Sequence, residues 1–262
     1  MSVSSPTPLA LNYAEAGDPA NPALVIVHGL FGSLSNWRSI ARKLSETFYV
    51  LTLDLRNHGN SPWHEEMNYQ NMAIDVAWFI EQHGLVAPAL LGHSMGGKTA
   101  MALVQMKLTT IRKLIVVDIA PVSYQHSHQE FIDIMQSVDF PAVNSRSDVD
   151  KILAQSIAEP PIRQFLLQNL VRDQGTYRWR INIEAIEDNM PSLLDYPLTD
   201  PCNCEALFIS GANSTYITEE SSRAIGRIFP LSRTEIIDNA GHWLHAEQPE
   251  RFVSLTQEFL SI

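Results

Sequence analysis

The amino-acid sequence predicts an α/β protein with a mostly parallel central sheet flanked by helices. Short β-branched runs alternate with helical patterns along most of the 262 residues, as is typical of strand–helix–strand units. In addition, a serine between two glycines directly follows an apolar run at residues 87–91, an arrangement typical of a strand that turns sharply into a helix. A chain of this length can bury one large core. We therefore expect one α/β domain with an insertion.

Seven strands are expected, because seven short segments are apolar or rich in strand-favouring residues. In chain order they are residues 9–15, 24–28, 49–53, 89–91, 114–118, 206–210 and 233–237. Helices are expected between them. One begins after Asn68 or Asn71, either of which can cap it, and ends near Gly84, which offers a left-handed stop. The apolar residues of this helix recur at the spacing of one helix face: Met72, Val76, Phe79 and Ile80.

The alternation of strands and helices breaks between about residues 122 and 200. Short helical patterns replace it, separated by Pro141, Pro160, Pro161, Pro191 and Pro197. Because this segment lies between two expected strands, we expect it to cover the strand ends as a cap or lid. The predicted organisation is a core formed by residues 1–121 and 201–262, with a helical cap at residues 122–200.

Composition argues against several classes of partner. The chain has 18 basic and 29 acidic residues, a formal net charge of −11 and no run of five basic residues, so neither nucleic acid nor an anionic membrane surface is expected as a partner. Residues 1–8 do not resemble a secretory signal, and no stretch approaches the length of a membrane span. With only Cys202 and Cys204 as cysteines, we expect a cytoplasmic protein. No metal or organic cofactor is expected, because neither a metal-ligand spacing nor a phosphate-binding loop is present.

Residues 92–96 read Gly-His-Ser-Met-Gly and place a serine between the expected strand 89–91 and an apolar helix. Glycine at the flanking positions leaves room for a strained turn that exposes the serine hydroxyl. Alone, such a triplet occurs by chance in about one in ten chains of this length. The strand before it and the proline-free helix after it make Ser94 the predicted nucleophile, with the Met95 N–H as one oxyanion donor.

Five motifs carry a resemblance to a known family: HGLFGS at 28–33, DLRNHGNSP at 54–62, GHSMGGK at 92–98, VDIAPV at 117–122 and NAGHWLHAE at 239–247. From about Leu24 to the C-terminus, the chain resembles α/β hydrolases. More narrowly it resembles the small YbfF-type bacterial esterases, relatives of abhydrolase domain-containing protein 11. The resemblance implies the α/β-hydrolase fold, with a helical cap inserted after the sixth strand. It also implies that Leu30, after the His-Gly pair, supplies the second oxyanion N–H.

A serine hydroxyl becomes a good nucleophile when a neighbouring imidazole accepts its proton. Of nine histidines, His242 is the predicted base, because it follows the last expected strand and α/β hydrolases have the order serine, acid, histidine. The others have structural interpretations. These are a brace of the oxyanion loop (His28), a turn residue (His58), packing or hydrogen bonding (His93), a satisfied half-buried residue (His245) and surface positions (His64, His83, His126 and His128). His126 and His128 belong to the expected cap, where contact with substrate is the alternative.

The acid is predicted to be Asp118, at the end of the expected strand 114–118. In most α/β hydrolases the acid follows the strand that corresponds here to residues 206–210, yet no carboxylate follows that strand until Glu219. Neighbouring parallel strands lie about 4.8 Å apart, so the end of strand 114–118 can adjoin the serine turn. Two alternatives remain: Asp118 caps the following turn, as aspartate often does, or Asp238 or Glu219 supplies the carboxylate.

These residues predict a serine hydrolase that cleaves small-molecule acyl esters or thioesters through an acyl-enzyme. Lys98, four residues after Ser94, is not expected to pair with the serine, because the helix carries it away, towards the helix surface or the cap. Short to medium acyl chains are expected from the resemblance and from apolar cap residues, namely Phe131, Ile134, Phe165 and Leu166. The alternatives are a lyase or carbon–carbon hydrolase of the same superfamily, or a non-catalytic ligand-binding member.

Overall fold

The computed structural model describes residues 7–125 and 128–261. Within these ranges the strands are β1 (Tyr13–Ala16), β2 (Ala23–Val27), β3 (Tyr49–Leu53), β4 (Ala89–His93), β5 (Leu114–Val117), β6 (Leu170–Asp173), β7 (Thr176–Trp179), β8 (Ala206–Gly211) and β9 (Ser232–Ile237). The helices are α1 (Arg38–Leu44), α2 (Tyr69–Gln82), α3 (Met95–Gln105), α4 (Gln129–Gln136), α5 (Arg146–Leu153), α6 (Pro160–Leu167), α7 (Ile183–Asp188), α8 (Met190–Leu194), α9 (Glu219–Ile228), α10 (Leu244–Glu247) and α11 (Pro249–Ser261). No helix in the described part of the chain is both long and apolar enough to span a bilayer.

Seven strands form one sheet in the order β1-β3-β2-β4-β5-β8-β9. Only β1 is antiparallel to its neighbour, so the expected mostly parallel sheet is confirmed. The first strand is shorter than predicted, because Tyr13 already pairs with Leu53, the last residue of β3. Before it, the chain bonds elsewhere: Leu9 N–H donates to the Asp75 carboxylate, and Asn12 N–H donates to the Ser61 hydroxyl.

Helices cover both faces of the sheet because strand side chains alternate between them. On one face, Val25, Leu51 and Leu90 pack with residues of α2 and α3. On the other, Leu24 and Leu91 pack with residues of α1 and α11. The predicted cap of α2 is confirmed: the Asn68 side chain accepts the Asn71 N–H at 2.8 Å, and Gly84 after the helix has φ +59°.

Residues 122–200, called the cap segment below, contain α4–α8 and an antiparallel hairpin of β6 and β7. The prediction that a cap follows the sixth strand is wrong: the cap segment follows the fifth described strand, because a single antiparallel strand lies at the β1 edge of the sheet. The purely helical prediction also missed the hairpin. The division into core and cap stays a prediction.

Side-chain hydrogen bonds tie the cap segment to the loops at the strand ends. The Asn169 amide donates to the Phe31 carbonyl at 2.7 Å, and the Asn189 amide donates to the Glu65 carbonyl, also at 2.7 Å. The Tyr69 hydroxyl donates to the Leu193 carbonyl. These bonds hold the cap segment against the segments that follow β2 and β3.

Candidate active site

Ser94 lies in the turn between β4 and α3, with φ +53° and ψ −119°. This left-handed backbone is costly for a residue with a Cβ, so the surrounding structure must hold it. The flanking glycines allow the turn. A Cβ on Gly92 would lie 2.2 Å from the Gly96 carbonyl oxygen, and one on Gly96 would lie 2.5 Å from the His28 carbonyl oxygen. The structure therefore places Ser94 in the strained turn that the sequence predicted.

The predicted oxyanion donors lie on either side of Ser94. Met95 begins α3, where the first N–H groups of a helix have no partner within the helix. Leu30 lies just after β2, and its N–H makes no hydrogen bond to the described residues. Both residues line the same small pocket as Ser94. Two backbone donors are thus available beside the serine.

Two buried histidines brace the loop that carries Leu30. His28 Nε2 accepts the Leu55 N–H at 3.0 Å, and its Nδ1 donates to the Gly29 carbonyl at 2.8 Å. His58 Nε2 accepts the Phe31 N–H at 3.1 Å. Burial lowers the pKa of His28 and lowers that of His58 to about 3, which keeps both rings neutral as acceptors. The interpretation of His28 as a brace is confirmed. His58 lies in a turn, as predicted, and it also holds the Phe31 N–H, which the sequence did not indicate.

The structure brings His242 and Asp118 together. His242 Nδ1 lies 2.7 Å from Asp118 Oδ2, and the carboxyl group is fully buried. Asp118 directly follows β5 and has φ +51°, a conformation that turns it out of the strand direction. The contact with His242 explains the position of Asp118 without the alternative role as a turn cap. Glu219 begins α9 instead and is exposed.

The loop after β8, which lacks a carboxylate, supports Asp118 instead of replacing it. Gly211 N–H donates to Asp118 Oδ1 at 3.2 Å, and the Ser214 hydroxyl donates to Oδ2. The Tyr216 ring stacks on His242 with centroids 4.1 Å apart. Sequence reasoning missed Ser214. The pairing of β5 with β8 was the available signal, because it places the two loops side by side.

His93 and His245 lie behind His242. His93 Nε2 contacts the His242 carbonyl oxygen at 2.8 Å, which confirms its role as a hydrogen-bond partner. The His245 ring stacks on Trp37 at 4.3 Å. Its Nδ1 is buried and has no hydrogen-bond partner among the described residues, so the expectation of a satisfied, half-buried side chain is wrong. Burial lowers the pKa of His245 to about 3.

The remaining histidines lie outside this cluster. His83 is exposed and His64 is half-buried. His128 is half-buried and lines two cavities that also contain Ser94, which agrees with the alternative of a position in contact with substrate. His126 lies outside the described residues.

Lys98 is buried, with 1% of its surface exposed. Its Nζ donates to the Leu194 and Asp195 carbonyls, both at 3.1 Å, and lies 4.8 Å from the centre of the Tyr124 ring. Burial lowers the pKa of Lys98 to about 7. The expectation that Lys98 faces the cap is confirmed, and the expectation that it lies on the helix surface is wrong. Lys98 ties α3 to the end of α8.

Two cavities meet at Ser94. The larger, called the outer cavity, has a volume of about 860 Å³ and is lined by His242 together with apolar side chains: Phe31, Trp37, Phe131, Ile162, Phe165 and Trp243. The smaller, called the inner pocket, has a volume of about 30 Å³ and is lined by Met95, Lys98, Tyr69, Met190, Leu193 and Leu194. Leu30 and Ser94 line both. Among the described residues, no group of three or more His, Cys, Asp or Glu side chains is arranged to hold a metal ion.

Comparison with known proteins agrees with this geometry. The model of the α/β hydrolase fold family matches residues 22–147, and the chain belongs to this family. It is 42% identical to the sn-1-specific diacylglycerol lipase ABHD11 of Xenopus laevis, over 93% of this chain and 81% of that protein. It is 35% identical to esterase YbfF of Escherichia coli strain K12, over 92% of this chain and 94% of that protein.

A solved structure agrees as well. The chain superposes on a marine microorganism esterase with a TM-score of 0.93, at 40% identity, over 96% of this chain and 99% of the other. These likenesses confirm the resemblance to the YbfF and ABHD11 proteins and make the chain a carboxylic ester hydrolase of the esterase and lipase type.

Proposed function

We propose that the chain is a serine hydrolase that cleaves short- to medium-chain acyl esters or thioesters through an acyl-enzyme, with Ser94, His242 and Asp118 as its catalytic triad. One observation carries the proposal: the His242 imidazole is hydrogen-bonded at 2.7 Å to a fully buried carboxylate and faces the same cavity as Ser94. A buried carboxylate at Nδ1 fixes the tautomer that leaves Nε2 free to accept a proton.

The reaction begins with attack of Ser94 Oγ on the substrate carbonyl carbon. His242 Nε2 accepts the hydroxyl proton, and the carbonyl oxygen becomes an oxyanion held by the N–H groups of Leu30 and Met95. When the intermediate collapses, the bond to the leaving oxygen or sulfur breaks, and His242 returns the proton to that atom. Water then attacks the acyl-enzyme by the same steps and releases the carboxylic acid.

Asp118 stabilises the imidazolium that forms in each half of the reaction. Its charge is held in place by donors from two elements, Gly211 N–H and the Ser214 hydroxyl, besides His242 itself. Because the carboxylate is fully buried, its attraction for the imidazolium is weakly screened by solvent. A fixed charge of this kind needs little rearrangement as the transition state forms.

The shape of the site supports ester and thioester substrates. A volume of about 860 Å³ with mostly apolar walls suits an organic ester, and relatives named for diacylglycerol lipase activity are 42% and 38% identical to this chain. Diacylglycerol is therefore one class of ester to test. Thioesters enter the proposal because the same acyl-enzyme forms whether oxygen or sulfur leaves.

The test is the Ser94→Ala variant assayed with p-nitrophenyl esters from acetate to octanoate and with the matching acyl thioesters. We expect kcat to fall at least about a thousandfold, because the covalent route is lost, while the thermal melting curve is unchanged. Ser35→Ala is the matched control, since Ser35 lines the same cavity away from the turn. More than a tenth of wild-type kcat in Ser94→Ala would contradict the proposed nucleophile.

A fluorophosphonate probe separates this proposal from the alternatives. It should label wild-type protein and Ser35→Ala, and leave Ser94→Ala unlabelled. A lyase or carbon–carbon hydrolase would label yet turn over simple esters negligibly, and a non-catalytic member would not label at all.

A further inference from the structure

The two cavities at Ser94 differ in which parts of the catalytic machinery they contain. His242 lines the outer cavity and not the inner pocket. Met95, whose N–H faces the oxyanion, lines the inner pocket and not the outer cavity. Ser94 and Leu30 stand at the junction. The reacting centre of a substrate at Ser94, in contact with both Met95 and His242, therefore lies between the two cavities.

The proton transfer decides which part goes where. His242 must donate a proton to the departing oxygen or sulfur, and general acid catalysis requires hydrogen-bond contact between donor and leaving atom. Only the outer cavity offers that contact, so the leaving group extends into it, and the acyl chain extends into the inner pocket. This step rests on the proposed function, because it requires His242 as the proton donor.

Within the short- to medium-chain range of the proposed function, we propose that the enzyme prefers a very short acyl group, of the acetyl or propionyl class, carried on a bulky apolar alcohol. The inner pocket measures about 30 Å³, and on the same scale a single bound water needs about 10–15 Å³. The pocket thus holds about two or three non-hydrogen atoms. The outer cavity, at about 860 Å³, has room for a far larger group.

Hydrogen bonds prevent the inner pocket from lengthening easily. Its lining includes Leu193 and Leu194 at the end of α8. Lys98 Nζ holds the Leu194 carbonyl at 3.1 Å, and the Tyr69 hydroxyl holds the Leu193 carbonyl. A longer acyl chain would have to separate these buried partners, which leaves polar groups unpaired. Lys98 and Tyr69 are therefore positioning residues for acyl-chain length.

The outer cavity has the opposite character. Phe165 packs against Trp243 with ring centroids 5.4 Å apart, and Phe131 and Ile162 add further apolar surface. Each methylene buried there contributes a roughly constant hydrophobic gain. The alcohol part can therefore grow over several carbons before it meets a wall.

Two ester series test the assignment with the wild-type protein. In the first, the alcohol is fixed as p-nitrophenol and the acyl chain grows from acetate to octanoate. We expect kcat/KM to fall at least about a hundredfold beyond propionate, since one excess methylene in a closed pocket changes kcat/KM by about 10- to 200-fold. In the second, acetate is fixed and the alcohol grows from ethyl to octyl. We expect kcat/KM to rise about two- to fourfold per methylene.

Two variants then assign each series to its cavity. Met190→Ala enlarges the inner pocket and should move the acyl optimum to butyrate or longer, without altering the alcohol series. Phe165→Ala enlarges the outer cavity and should flatten the alcohol series, without moving the acyl optimum. Should Met190→Ala not fold, Met190→Val provides a smaller enlargement of the same wall.

The outcomes separate this inference from the proposed function. Turnover of octanoate esters at rates close to acetate esters, or an acyl optimum that moves in Phe165→Ala and not in Met190→Ala, would overturn the assignment while leaving the serine esterase intact. Absence of turnover with every ester in both series would overturn the proposed function and the assignment together.

Discussion

The two sides of the outer cavity are built in different ways. On the sheet side, Ser94 and Asp118 both adopt positive φ at strand ends. The Ser94 N–H donates to the Val117 carbonyl, and the Asp118 carboxylate is bonded to the Gly211 N–H and to His242. On the cap side, Phe131, Ile162 and Phe165 contribute apolar surface. Chemistry thus depends on individual atoms, whereas selectivity depends on volume. Substitutions on the sheet side should change kcat by orders of magnitude, and those on the cap side should change substrate preference.

Apart from Ser94→Ala, Asp118→Asn should lower kcat the most among the substitutions on the sheet side. We expect kcat to fall about a thousandfold to ten-thousandfold, because the amide favours the wrong His242 tautomer and does not stabilise an imidazolium. The order of preference among ester substrates should stay the same, since the cavity walls are unaltered. Steady-state kinetics on the p-nitrophenyl series measures both.

Asp238→Asn is the control for Asp118→Asn, because Asp238 is an exposed carboxylate near His242 in sequence. Near-native turnover of Asp118→Asn, together with loss of activity in a variant of Asp238 or Glu219, would show that the acid is misassigned.

Lys98→Met tests the link between the two sides. Folding lowers the pKa of Lys98 to about 7 through burial, against an opposing attraction from Asp195. The unfolded chain therefore binds more protons above pH 7, and wild-type stability should rise with pH. From pH 7 to 8.5 this group adds about 1.5 kcal/mol to the free energy of unfolding, and Lys98→Met should lack that increase.

Urea unfolding of wild type and Lys98→Met from pH 7 to 8.5 measures the difference between their free energies of unfolding. The contributions of other groups cancel in this difference. Tyr69, Tyr124 and Tyr196 surround the ammonium group, and burial raises the pKa of each, so they remain protonated in this range. Parallel pH curves for the two proteins would mean that Lys98 stays charged in the folded state.

Ser214→Ala tests the support of the acid. It removes the hydroxyl that donates to Asp118 Oδ2, and we expect kcat to fall about tenfold, the effect of one lost hydrogen bond to a charged group. Ser214→Thr should recover most of the loss, because it restores the donor. Asn213→Ala, a change at an exposed neighbour, is the control. Equal kcat in Ser214→Ala and wild type would show that Gly211 and His242 alone hold the carboxylate.

His245→Phe should have the smallest effect. The substitution keeps a ring against Trp37 and removes a buried nitrogen without a partner among the described residues, so the free energy of unfolding should rise by about 1 kcal/mol at pH 7. The gain should grow as the pH falls below about 6.5, because the unfolded histidine then binds a proton that the folded ring, with a pKa of about 3, does not. Chemical denaturation at pH 7 and pH 5 checks this, and a loss of stability at both would contradict it.

The features that sequence reasoning found depend on local constraints. The turn at Ser94 can be recognised in the sequence because only glycine fits at Gly92 and Gly96. Asp118 could be predicted because strand order places the end of β5 near the turn at Ser94. In the structure its carboxylate lies 2.7 Å from His242 Nδ1. The catalytic roles of these residues stay predictions.

The features that it missed depend on contacts between distant segments. His58 accepts an N–H from Phe31, 27 residues earlier, and Ser214 reaches Asp118 across 96 residues. In the cap segment, the β6–β7 hairpin has charged residues in its four-residue strands and lacks the continuous apolar run that marks the equally short β5. Packing of Trp179, whose indole N–H donates to the Met135 carbonyl, decides its position instead.

The pair formed by His28 and His58 has a practical consequence for handling the protein. Each ring accepts a backbone N–H at Nε2. A proton added at Nε2 would face that N–H, so the hydrogen bond would break and release the loop that carries Leu30. With the pKa of His58 at about 3, that release lies far below the pH of common mildly acidic buffers. Storage or crystallisation in moderately acid buffers should therefore leave the loop that carries Leu30 in place.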